Sequence, residues 1–186
     1  MPKIDDIRQA MTEKDEHEQE IRDWATCVAL HLADGFRDYV GLPKTYSSFE
    51  GPSKPYVDFI QVDPDNDELT DDVNHAVEAT TIFYDGSIHF GLGLTLDIAE
   101  NKFPKRRFTF YIVCQKEGDE LAVSISKHPV VRCGKADTLS GYDMQPAYDA
   151  LFEIIMNHLN SRVGDNRYQE QIGFGFRLTQ THKNKS

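Results

Sequence analysis

The chain has 186 residues, 39% of them hydrophobic and 11% aromatic, with a formal net charge of −11. That length and apolar content are enough for one packed domain and exclude a disordered chain. No apolar run reaches the roughly 18 residues of a membrane helix, and the acidic balance argues against general nucleic-acid binding, which needs positive potential.

The charge is unevenly placed. Residues 1–72 hold 18 of the 31 acids and 7 of the 20 bases, so the whole excess lies there and the remainder is neutral. Ile4, Ile7 and Met11 recur at helical spacing, and the charged run Glu13–Glu20 follows. From Ile21 the stripe is clean: Trp24, Ala25, Val28, Leu32, Phe36 and Tyr39 put one apolar face on a helix. Thr12 offers an N-cap, Gly35 a bend or early end, and Gly41-Leu42-Pro43 a stop. The expectation is an acidic helical arm over 1–42, as one long helix or two in series. It precedes a single α+β domain over 43–186 that packs with it as one unit.

After a Ser/Gly/Pro linker, Tyr56–Val62 reads as a first strand, closed by an acidic loop from Asp63 to Asp72. The loop's alternating acids resemble a calcium site, but Glu68 stands where the sharp turn needs Gly, and Asn74 where a bidentate Glu belongs. No metal or cofactor is expected. Ala76–Tyr84 and Ser87–Ile98 flank Asp85-Gly86, the pattern of a two-residue hairpin. That loop pairs Ile82 with His89 and Tyr84 with Ser87. It also places Val77, Ala79, Thr81, Phe83, Ile88, Phe90, Leu92, Leu94, Leu96 and Ile98 on the core face.

A second hairpin, Arg107–Gln115 and Glu120–Ser126, turns near Gly118. Phe108, Phe110, Ile112, Cys114, Leu121, Val123 and Ile125 face its core side. Val130–Cys133 adds a short strand, Asp143 caps a helix running to Leu159, and Ile172–Leu178 alternates as a last strand. Hairpins beside terminal helices indicate an α+β fold. Its antiparallel, mostly meandering sheet has five to seven strands, flanked by a long N-terminal helix and a C-terminal helix.

For chemistry, Glu78, His89 and Asp97 share the rear of the first hairpin, but about 13 Å separates His89 from the position opposite Glu78. A working base needs about 3 Å, so no catalytic residue is assigned. A possible ligand face comprises Tyr84, His89, Gly91, Gly93 and Tyr111, because strand glycines signal close approach of something. The chain's own helix is the first occupant to expect there. Lys102, Lys105, Arg106 and Arg107, with Lys127 and His128, converge on one sheet end as a partner- or anion-binding cluster, with a local phosphate contact as one use. Cys27 and Cys114 read as packing residues. Cys133, between Arg132 and Lys135, is the candidate reactive thiol.

An odd number of widely spaced cysteines suits a reducing, cytoplasmic setting, and the first residues carry no secretory pattern. The first expectation for function is a non-enzymatic interaction protein, such as an adaptor, a chaperone-like protein or an accessory subunit. It would bind a protein partner and be capable of forming a homo-oligomer, with no membrane association. The alternative is a small-molecule or nucleotide-binding domain using the glycine face and the basic edge. A thiol-dependent enzyme comes last.

Overall fold

The computed structural model describes residues 3–48, 51–63, 66, 68–98 and 105–161. Helix α1 is continuous from Lys3 to Tyr39, passing straight through Gly35. Gly35 is there for space. A Cβ would lie 1.9 Å from the Tyr148 hydroxyl oxygen, whose proton is donated to the His31 carbonyl at 3.0 Å. The helix ends as its sequence suggests. Gly41 adopts φ +72, Leu42 N–H bonds the Arg37 carbonyl, and Gly41 N–H bonds that of Asp38, a Schellman closure.

The linker contains a small ribbon of β1 (Thr45–Tyr46) and β2 (Lys54–Pro55). The main antiparallel sheet is built from β3 (Val57–Asp63), β4 (Glu68–Val73), β5 (Thr81–Ile82), β6 (Ile88–Leu96), β7 (Arg106–Glu117), β8 (Glu120–Ile125) and β9 (Val131–Gly134). Their order is β4-β3-β6-β7-β8-β9, with β5 also pairing on β6. The fold is α+β, with an open sheet whose helices α1 and α3 (Gln145–Asn160) share one core with its front face. The N-cap of α3 is Met144, one residue after the expected Asp143, whose carboxylate accepts a hydrogen bond from Gln145 N–H at 3.0 Å. No helix among the described residues is long and apolar enough to cross a membrane.

The second hairpin follows its alternation. Glu117 pairs with Glu120 around Gly118-Asp119, and Gly118 has φ +64. Phe108, Phe110, Ile112, Cys114, Leu121, Val123 and Ile125 are all buried in the core.

The first hairpin differs from expectation. Ile82 pairs with Ile88 and Thr81 with His89, one residue out of the expected register. The loop has three residues, Tyr84-Asp85-Gly86, because the Asp85 carboxylate takes both the Ser87 N–H (2.9 Å) and its hydroxyl (2.6 Å). Gly86, at φ +79, supplies the left-handed residue such a loop requires. Ala76–Ala79 forms a turn of helix, α2, rather than strand, so Ala76 and Ala79 are buried and Val77 is exposed. Ile98 is exposed as well, whereas Leu92 lies in the core.

The expected acidic loop is partly edge strand. Its residues Glu68–Asp72 run in β4, which pairs along β3 across a register shift between Ile60 and Val62. The strand expected over Ile172–Leu178 lies outside the described residues.

Candidate functional site

Behind the sheet, His89 sits in a chain of hydrogen bonds. Its Nδ1 is 2.5 Å from the Tyr111 hydroxyl and its Nε2 is 2.9 Å from Ser87 Oγ. The Phe83 ring lies over the imidazole at a centroid distance of 4.0 Å. A hydroxyl has one proton, and that of Ser87 goes to Asp85. Ser87 therefore accepts from His89 Nε2–H, and Nδ1 accepts from Tyr111. The two bonds from Ser87 hold the Asp85 carboxyl below its ordinary pKa. This order runs opposite to that of a nucleophilic serine, whose proton must point at the imidazole. The chain therefore pins the loop to the sheet.

Of the remaining residues of the expected ligand face, Gly91 lies opposite Tyr111 in the β6–β7 pairing. Tyr84 stands fully exposed at the loop tip. Gly91 and Gly93 are filled from the chain's own strands, not from a helix. A Cβ on Gly91 would meet Leu69 Cδ2 at 2.6 Å and Ile60 at 2.8 Å. One on Gly93 would meet Asp58 Oδ1 at 1.9 Å and the Arg107 guanidinium at 2.6 Å. Both glycines make room for side chains of β3, β4 and β7.

Two residues of the basic cluster, Lys105 and Arg107, are engaged internally. Lys105 Nζ is 2.8 Å from Asp97 Oδ2, with each side chain only 8% exposed. Tyr56 donates to the same carboxylate at 2.7 Å, and the ammonium lies 4.5 Å from the Tyr46 ring centroid. Arg107 forks onto Asp72 (2.6 and 2.7 Å) and reaches Asp58 at 2.8 Å. Burial raises the Asp58 carboxyl to about 6, outweighing the attraction of Arg107. The acids that close on Arg107 therefore come from β3 and β4 and not from the helical arm. Arg106 and Lys127 are exposed, His128 is half-buried, and Lys102 lies outside the described residues.

Cys133 is buried, and its thiol is pushed up to about 11 by that burial, the reverse of activation by basic neighbours. Cys114 is raised too, by complete burial. No cluster of metal-ligating side chains occurs among the described residues.

Two features were not read from the sequence. One is an open recess of about 520 Å³ lined by Trp24, Lys116, Lys135, Ser140 and Tyr142. Ser140 Oγ, of its lining, is 2.6 Å from His31 Nδ1. The other is how far α1 projects. Every residue from Lys3 to His17 is exposed, and full burial begins only at Ala25. Ile4, Ile7 and Met11 are 48%, 54% and 61% exposed. At about 100° per residue they fall on the same face as Ala25, Val28, Leu32 and Phe36. The helix thus projects about 30 Å beyond the body, and its apolar side is interrupted between Met11 and Ala25 by the ion-paired Lys14, Glu18 and Arg22. The signal was present in the spacing, but the end of the body is a tertiary fact.

Compared with known proteins, the chain matches no family model, no curated protein and no solved structure.

Proposed function

We propose that the chain is a non-enzymatic interaction protein, of the adaptor or accessory-subunit kind, whose α1 projection docks a basic amphipathic helix of a protein partner. The observation that carries this reading is the exposed apolar stripe Ile4, Ile7 and Met11, on the same side of the helix as its buried face and parted from it by the ion-paired Lys14, Glu18 and Arg22. Helix-in-groove recognition uses anchors at such spacings. The chemistry of the partner follows from charge. Residues 3–23 hold eight acids against four bases. A second copy would set like charges side by side, whereas a basic helix complements them and gains in on-rate. The serine proton held by Asp85 and the raised Cys133 thiol support a non-catalytic role.

The test uses the full chain and a fluorescent Leu/Lys heptad peptide as the basic probe. Replacing Ile4, Ile7 and Met11 with Ser leaves the charge untouched. Binding should weaken at least tenfold in that variant and also fall with salt. Equal binding by both proteins would reduce the effect to bulk charge and overturn the proposal. A wild-type dimer that the variant loses would assign the stripe to a second copy instead, and would also overturn it.

A further inference from the structure

Strand β4 is the outer strand of the sheet among the described residues, so one side of its backbone faces away from β3. Such an edge is a template for another strand, and proteins guard it with charge. Here the guard is acidic. Asp72 is engaged by Arg107, while Glu68 and Asp71 are exposed and make no ion pair among the described residues.

The described chain ends at Ser161, after α3. His158 packs edge-on against Phe108 at 5.5 Å, at the start of β7. Phe108 pairs with Leu94, Leu94 with Val57, and Phe59, two residues on, with Val73 of β4. The α3 terminus therefore stands at the sheet end where β4 finishes, three strand spacings from it, or about 14 Å.

Residues 162–186 hold five bases (Arg162, Arg167, Arg177, Lys183 and Lys185) and two acids, Asp165 and Glu170. Within them Ile172, Phe174, Phe176 and Leu178 alternate with Gly173, Gly175 and Arg177, a period of two suited to a strand. The ten residues before Ile172 reach roughly 33 Å when extended, more than twice the gap. The other acidic destination, the α1 projection, begins beside Lys116. That lies eight residues from Phe108 along β7, roughly 27 Å away at the opposite end.

We propose that the acidic β4 edge is a strand-addition site, and that its occupant is the chain's own C-terminal segment, residues 162–186. Backbone pairing supplies the attachment, and opposite charge selects this edge over β9. The inference is independent of what α1 binds.

Hydrogen exchange on the full-length protein tests it. Every second amide of an outer antiparallel strand lacks a bond to its neighbour. With the edge occupied, those amides in Glu68–Val73 exchange at least tenfold more slowly than an open chain. Phe174→Asp with Phe176→Asp in the tail, and separately Glu68→Lys with Asp71→Lys on the edge, should each release them at least tenfold and leave the β7 and β8 amides unchanged. Adding Arg177→Glu to the edge variant should restore part of the protection. Wild-type amides already at the open-chain rate would overturn the proposal, as would slow amides in both variants. Protection that appears only as a dimer forms would assign the site to a second copy's tail, and the proposal as stated would fail. Should the tail variant lose β7 protection through misfolding, the edge variant and its charge-swapped rescue decide the matter.

Discussion

Lys105 and Arg106 are adjacent in sequence and opposite in consequence. The Lys105 ammonium is buried against Asp97 and two tyrosine rings, so Lys105→Ala takes the cation away from a buried carboxylate to which Tyr56 also donates, at a cost of about 3–5 kcal/mol. Arg106 points to solvent, and Arg106→Ala should change stability by no more than about 0.5 kcal/mol. Urea denaturation of the two single variants separates them. Equal losses would show that the ion pair contributes nothing of its own.

Asp58 gives a second residue-scale expectation, with a definite sign. Its carboxyl is raised from 3.8 to about 6, so the folded protein binds this proton more tightly than the unfolded chain does. That contribution to stability is complete below about pH 4 and is lost as the pH rises through 6; it amounts to at most about 3 kcal/mol. Asp58→Asn keeps an acceptor for Arg107 and removes the titration. Its stability between pH 4 and 7 should therefore be flatter than that of the wild type, measured by denaturant unfolding at each pH. Parallel curves would refute the assignment.

At the scale of elements, α1 and α3 meet where Tyr148 lies on Gly35. Gly35→Ala forces the ring away and breaks the hydrogen bond to His31, an overpacking change worth about 1–3 kcal/mol. Thermal melting of this variant should show the loss, although Ala is the better helix former at an unconstrained site.

The same scale shows what could be read from sequence. The β7–β8 alternation was legible, since either candidate two-residue loop at Gly118 leaves Phe108 to Ile125 on the same face. The β5–β6 register was not, because Asp-Gly serves two loop lengths and the choice fell to a carboxylate bonding Ser87. Ala76–Ala79 curls because two small residues fit under α1, a contact no local pattern records. Among the candidate site residues, the sequence placed Lys105 and Arg107 near one sheet end. Their partners Asp97, Asp58 and Asp72 come from three other segments, and only the assembled sheet brings them together. At the rear glycines Gly91 and Gly93 the close neighbours are strands and not a helix.

For the molecule as a whole, packing is concentrated in one place. On α1 full burial begins at Ala25, with Trp24 packed against the core, so the residues before it are held by the continuity of the helix and by exposed pairs such as Lys14–Glu18 and Arg22–Glu18. Exposed pairs of this kind contribute about 0.3–0.5 kcal/mol each. Amides of residues 5–20 should exchange orders of magnitude faster than those of 28–36. Limited trypsin should cut at Arg8, Lys14 or Arg22 before it touches the sheet, as mass spectrometry of the first fragments would show. First cuts within β6 or β7 would contradict this gradient.

The position of Trp24 has an optical consequence. It is the chain's single tryptophan, and it stands half-buried where α1 leaves the body, at the rim of the recess. Ultraviolet emission excited at the red edge of protein absorbance therefore comes from this junction alone. A molecule that comes to rest over the root of α1 at the recess changes the polarity around that indole. The unlabelled protein thus carries its own fluorescent gauge of whether the root of the projecting helix is covered.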